Sequence, residues 1–94
     1  MQFLLTAYDG TDANAMDRRM KARPDHLEGI AKLKKTEEFL FGGAILSESG
    51  QMIGSMIVYE FPDRAALDEM LKNEPYITGN VWEKVEILPF RHAR

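Results

Sequence analysis

The chain contains no cysteine in 94 residues, which removes a disulfide framework, a thiolate metal site and a cysteine nucleophile together. A reducing compartment suits such a chain, and a cytoplasmic protein is expected. It also lacks a long apolar run: the opening MQFLLTAYDG has no basic start and is too short in its apolar part for an export signal or a membrane span. Charge of one sign is missing too, with 12 Lys and Arg against 15 Asp and Glu and a net charge of -3. Because the charges are mixed along the chain, with no basic block and no arginine-aromatic alternation, nucleic acid is not an expected partner. Repeats, low-complexity tracts and linkers are absent, so residues 1–94 are expected to form a single domain. A domain this short buries a modest fraction of its surface, and a second copy is a natural way to complete it.

What is present is a regular alternation of element types. Phe3 to Tyr8 is a short run of large apolar side chains closed by Asp9-Gly10, the pattern of a strand and a turn. From Asp12, a capping residue, to Met20, the spacing of Ala13, Met16 and Met20 predicts a helix with one apolar face. Arg23-Pro24 is expected to interrupt it, because a residue before proline avoids helical geometry while proline suits a first helical position. The helix then restarts at Pro24 and runs to about Glu37, with Leu27, Ile30, Ala31 and Leu33 facing inward. Phe39 to Leu46 (FLFGGAIL) is a strand whose glycine pair implies a bulge or a close approach to the backbone. Ser47 to Gly50 makes a hairpin turn, and Met52 to Phe61 is the strongest strand in the chain. Pro62-Asp63 stops that strand and caps a helix with Ala66, Leu67, Met70 and Leu71 on one face, ended by Asn73-Glu74-Pro75. Val81 to Phe90 is a last strand before a polar tail, Arg91 to Arg94.

The order is βαββαβ, the ferredoxin-like split βαβ arrangement of the α+β class, a four-stranded antiparallel sheet with helices on one face. In the third strand Met56 and Val58 alternate with Ser55, Ile57 and Tyr59, so both faces of the sheet carry apolar groups. The face without helices needs a cover, and the same face of a second subunit supplies one. A homodimer packed sheet to sheet is expected.

Chemistry has few carriers. Of the two histidines, His92 lies in the tail and is not expected to act. His26, in RPDHL, falls near the third position of the helix expected to start at Pro24. There the positive end of the helix dipole would favour a neutral imidazole, which can serve as a base. A base needs a carboxylate to fix its tautomer, and Glu74 and Asp9 are the candidates; Asp25, its neighbour in the helix, does not face it. Pro75 holds Glu74 out of helical geometry, and Tyr76 offers a hydroxyl or an aromatic wall. Arg18, Arg19 and Arg23 are candidates for an anion-binding rim, with at least two of the three expected on a solvated face. One interior histidine and scattered carboxylates give no metal-ligand spacing, and Gly42-Gly43 leads into a strand, not a helix, so no metal or nucleotide cofactor is expected.

RPDHL, FLFGGAIL, GSMIVYEF and EPYITGNVWEKVEILPF, in this order of elements, resemble the YciI-like (YCII-related) family over nearly the whole chain. The telling parts are R-P-x-H-L and an acid-Pro-Tyr/Phe segment followed by a glycine and a final strand ending in Pro-Phe. The resemblance implies a dimeric α+β barrel, two ferredoxin-like subunits packed sheet on sheet. Wider relatives of that superfamily include muconolactone isomerases, small monooxygenases and an aromatic dehydrochlorinase. It also implies a His-Asp pair in a cleft. By similarity the histidine is His26 and the acid falls on Glu74, a departure, since aspartate is usual there. The extra methylene moves the carboxylate by about a bond length, enough to matter for positioned catalysis.

Two functions follow as expectations. One is a cofactor-independent lyase or isomerase in which His26 removes a proton and Glu74 steadies the imidazolium, with Tyr76, Arg23 and Asp9 lining the substrate site for an anionic or phenolic metabolite. The other is a binding or accessory module holding a metabolite in the same cleft without transforming it. Oxygenation, with or without heme, stands third by analogy with the superfamily.

Overall fold

The protein is described from a computed structural model covering residues 1–93; Arg94, the last residue of the expected tail, lies outside the described residues. Strand β1 (Gln2–Asp9) is followed by α1 (Ala15–Lys35), β2 (Phe39–Leu46), β3 (Met52–Glu60), α2 (Arg64–Leu71), α3 (Pro75–Thr78) and β4 (Trp82–Phe90). The strands form one antiparallel sheet in the order β2-β3-β1-β4. This is the expected ferredoxin-like α+β fold with one added element, the single turn α3.

Strand period sets the two faces. Phe3, Leu5, Ala7 and Asp9 of β1 point to the helices, as do Ser55, Ile57 and Tyr59 of β3, and all seven are buried. Leu67 and Leu71 of α2 and Tyr76 of α3 close on the apolar members of that set. On the other face, Leu4 and Phe41 flank Val58 in register, while Tyr8, Phe41 and Leu88 are exposed. The β2–β3 hairpin turns where expected, with the Gly50 amide bonded to the Ser47 carbonyl and Gly50 at φ 89, a conformation that glycine adopts without strain. The irregularities of β2 fall beside Phe39/Phe41 and Ile45/Leu46, not at the glycine pair. Gly42 instead marks a close approach: a Cβ there would meet the Met56 carbonyl oxygen at 2.4 Å.

Three sequence expectations about helices are corrected. The break at Arg23-Pro24 does not occur: α1 is one helix, and Pro24 sits inside it. A proline in a helix forgoes the bond from its own nitrogen, yet Ala22, His26 and Ile30 on either side are packed inward, and that burial carries the helix through. The expected apolar face holds at Ile30 and Leu33 and fails at Ala13, Met16, Met20, Leu27 and Ala31. Met16, Met20 and Leu27 are exposed, and the stripe that packs inward is Arg19, Ala22, His26, Ile30 and Leu33. Finally, α1 ends at Lys35, where Glu37 takes the left-handed conformation at φ 62 and the amides of Glu37 and Glu38 bond the carbonyls of Lys34 and Leu33. This is the terminal motif usually built with glycine, here built with glutamate.

Candidate functional site

The site grows from the inward stripe of α1. In a continuous helix, residues 19, 22 and 26 share one face, so Arg19 and His26 enter the interior that hydrophobic residues normally fill. His26 lies eleven residues past the start of α1 at Ala15, so the amides at the helix end and their dipole, which act only over the first turn, do not reach it. That part of the sequence argument falls with the expected break at Pro24.

The partner of His26 comes from the other half of the chain. Glu74 is extended (φ -70, ψ 121) ahead of Pro75 and is the N-cap of α3, its Oε1 accepting from the Tyr76 amide at 3.1 Å. The same oxygen lies 2.5 Å from His26 Nδ1. Both side chains are nearly inaccessible, with His26 and Glu74 each 5% exposed. The imidazole stacks on the Tyr76 ring, centroids 3.7 Å apart and planes 12° from parallel, and Trp82 stands edge-on to both rings. The ring is therefore fixed by a carboxylate and two aromatics. Its other nitrogen, Nε2, has no protein partner among the described residues.

His26 lines a cleft of about 190 Å³ between α1 and the β2–β3 side of the sheet. Leu27, Ile30, Phe39 and Ile57 supply its apolar walls, Tyr76 closes one side, and Arg23 and Lys34 supply positive charge. No carboxylate lines it, so the cleft suits a small apolar body bearing negative charge. Burial pushes the Tyr76 hydroxyl above the usual phenol range, opposed by the nearby Arg19 and Arg23 cations. At neutral pH it is a phenol, a hydrogen-bond donor. Tyr59 is raised further by burial, with Glu74 adding to the effect, and its hydroxyl is buried without a partner among the described residues.

Of the residues singled out from sequence, His26, Glu74 and Tyr76 come together, and Arg23 lines the cleft beside them. Asp9 does not join His26 and does not line this cleft. Both its oxygens accept from Arg19 Nη1, each at 2.9 Å, forming a buried ion pair. Of the three arginines Arg19 is the buried one, 2% exposed, while Arg18 and Arg23 are partly exposed and Arg18 is tied to Asp12 and the Asn80 carbonyl. That pairing holds the Asp12 carboxyl well below its usual range. Sequence reasoning named Arg19 only as a candidate for a rim and missed Ser55 and Trp82, whose indole N–H donates to Ser55 Oγ at 3.1 Å beside the bond from Arg19 Nη2 at 3.2 Å. The signal for Arg19 was its seven-residue spacing from His26, visible once α1 is one helix. Among the described residues no group of three or more His, Asp or Glu is placed to hold a metal ion, and no helix is long and apolar enough to cross a membrane.

A ferredoxin-like sheet with a buried histidine–carboxylate pair at the edge of a cationic cleft defines the class of α+β protein in which this chain falls. The YCII-related domain matches residues 1–91, and the chain belongs to that family. It is 24% identical to Protein YciI of Escherichia coli over 94 residues, covering 94% of this chain and 96% of that protein. It is 27% identical to the Aspercryptin biosynthesis cluster protein B of Emericella nidulans over 82% of this chain, and the match spans only 55% of that longer protein. Among solved structures, the 5-chloro-2-hydroxyhydroquinone dehydrochlorinase of Burkholderia phenoliruptrix, in complex with 2,5-dihydroxybenzoquinone, superposes with a TM-score of 0.86 at 19% identity, covering 99% of this chain and 96% of that one. A dimeric ferredoxin-like protein from Jannaschia sp. superposes with a TM-score of 0.56 at 14% identity, covering 97% and 98%. At these identities the two structures show a shared fold.

Proposed function

We propose that the chain is a cofactor-independent lyase or isomerase acting on a small anionic or phenolic metabolite, with His26 as the base. One observation carries the reading: the Glu74 carboxylate holds Nδ1 of a buried imidazole at 2.5 Å, leaving Nε2 as the nitrogen available to a ligand in the cleft. In the reaction Nε2 takes a proton from an acidic C–H or O–H, and the electron pair stays on the substrate as an enolate or phenolate. Glu74 accepts from Nδ1–H and stabilises the imidazolium. Tyr76, as a phenol, donates to the new oxyanion, while Arg23 and Lys34 supply positive charge. In an isomerase the proton returns to a different carbon; in a lyase the electron pair expels a leaving group. The fold's likeness to a dehydrochlorinase holding a dihydroxybenzoquinone makes hydroxylated quinones and phenols the first ligands to try.

The proposal includes a homodimer packed through the sheet faces that carry no helices. The apolar set around Val58 supports it, as does the dimeric character of the Jannaschia protein of similar fold. A cytoplasmic location is proposed with it. The rival, a binding module without turnover, draws on the second job of Glu74: capping α3 is a structural reason for that carboxylate.

The test is thermal stabilisation by 2,5-dihydroxybenzoquinone, catechols, lactones and carboxylates, on wild type and His26→Gln, followed by turnover of each ligand that binds. Turnover of a bound compound that drops at least 100-fold in His26→Gln is expected. Equal turnover in the two proteins sinks the base reading, and tight binding without turnover in wild type moves the protein to the binding class.

A further inference from the structure

Arg19 has no part in the scheme above, although it is 2% exposed and lines the same cleft. Its pair with Asp9 and its bond to Ser55 use the two terminal nitrogens. Nε remains, buried and without a hydrogen-bond partner among the described residues. Burying a donor with nothing to bond costs free energy, so a compensating contact is expected. The guanidinium carbon lies 4.8 Å from the centroid of the Tyr76 ring, inside the range of a cation–π contact. The face of an aromatic ring is an acceptor for such an N–H.

The ring also meets His26 at 3.7 Å. Arg19 and His26 stand seven residues apart on α1, about 10.5 Å along the axis at 1.5 Å per residue. The two contacts, 4.8 Å and 3.7 Å, account for most of that span. Tyr76 therefore meets both a guanidinium and an imidazole borne two turns apart on one helix. Asp9 anchors the guanidinium from β1, and Glu74 anchors the imidazole from the start of α3.

We propose that Arg19 is a positioning residue, clamping the Tyr76 ring against His26 so that the phenol hydroxyl is aimed at the oxyanion that His26 generates. The proposal rests on the reading of His26 as a base. Arg19 acts through Tyr76, whose ring it contacts. Replacing it should loosen the stack and also alter the electrostatics of the phenol. The charged groups around that phenol are Arg19 and Arg23 from α1, Asp9 from β1, Glu74 beside it, and His26 when protonated. Arg19 and Arg23 favour the phenolate, whereas Asp9 and Glu74 disfavour it.

The experiment uses NMR on the full-length protein with labelled tyrosine and histidine, following the Tyr76 ring through a pH titration and the His26 ring protons at fixed pH. Tyr76→Phe assigns the tyrosine signal. In wild type the His26 protons are displaced by the ring current of the stacked phenol. Arg19→Met should lose that displacement and move the Tyr76 midpoint up, because a cation is gone. Asp9→Asn should move the same midpoint down, because a carboxylate is gone and the cation stays. Opposite directions in two variants that break one ion pair are not produced by a general loosening of the core. Arg19→Lys keeps the charge without the planar fork, so it should weaken the stack and leave the midpoint near its wild-type value; it carries the test if Arg19→Met does not fold. An unchanged His26 displacement in the Arg19 variants, or Tyr76 midpoints that move the same way in Arg19→Met and Asp9→Asn, overturns the clamp. No substrate enters the measurement. Undiminished turnover in His26→Gln would overturn the base reading, whereas unmoved NMR signals overturn the clamp alone.

Discussion

Shortening Glu74 by one methylene separates the two jobs of its carboxylate. In the native protein Oε1 caps α3 through the Tyr76 amide at 3.1 Å and meets His26 Nδ1 at 2.5 Å. Aspartate is among the best N-cap residues, so the cap survives in Glu74→Asp. The oxygen retreats by about 1.5 Å, one carbon–carbon bond. The distance to Nδ1 then becomes about 4 Å, beyond hydrogen-bond range. A hydrogen bond with a charged partner contributes about 1.5–3 kcal/mol, and an N-cap about 1 kcal/mol. Glu74→Asp should therefore lose about 1.5–3 kcal/mol and Glu74→Ala about 1 kcal/mol more. Urea denaturation measures both: at roughly 1 kcal/mol per molar, the Glu74→Asp midpoint should fall by about 1.5–3 M with an unchanged slope. A Glu74→Asp protein within about 0.5 kcal/mol of wild type, beside a Glu74→Ala protein down by about 1 kcal/mol, would reduce Glu74 to a helix cap and refute the pairing.

Three further outcomes are expected. Arg19→Met strands the buried Asp9 carboxylate and should cost about 3–5 kcal/mol in urea denaturation, while Asp9→Leu combined with Arg19→Met should cost less than Arg19→Met alone; additive losses would deny the ion pair. Gly42→Ala should cost about 1–3 kcal/mol, because the new Cβ meets the Met56 carbonyl oxygen at 2.4 Å, while Gly43→Ala, with nothing within 4 Å, should be close to neutral. Equal effects of the two would deny the close approach. Burial raises Tyr59 and Tyr76 in the folded state, so the unfolded chain releases their protons first, from about pH 10 upward. Their stabilisation is complete below that pH and is lost above it, at up to about 1.4 kcal/mol per pH unit for each tyrosine, so a flat stability between pH 10 and 11 would contradict their burial.

The strands and the hairpin were legible because each is carried by a local signal: a short apolar run closed by Asp9-Gly10 in β1, the long apolar run of β3, and Gly50 at the turn. The helices were less so, for reasons that can be named. A hydrophobic-period argument aligns α1 on Met16, Met20 and Leu27, whereas the inward phase is marked by an arginine and a histidine that such an argument assigns to solvent. With glutamate in the left-handed position, the end of α1 carries no glycine to announce it. The four residues of α3 are too few to show a period, although Pro75 at its start was noticed for its effect on Glu74. Of the site, RPDHL and the acid before Pro75 named both members of the pair. That Glu74, not Asp9, reaches His26 was beyond a linear reading, because it depends on which rim of the sheet each carboxylate occupies.

The site residues are scattered along the chain in a way that makes the cleft a record of folding. His26 and Glu74 are 48 positions apart, Arg19 and Ser55 are 36 apart, and Ser55 and Trp82 are 27 apart. A fragment or an intermediate in which α1 and the β2–β3 hairpin have formed, but the last third of the chain has not docked, holds the histidine without its carboxylate or its aromatic walls. Every ligand bound in the cleft therefore binds only the fully assembled chain, and its binding free energy adds to the barrier against releasing the C-terminal segment. A compound of the class proposed above, once bound in the cleft, would slow proteolysis of the chain.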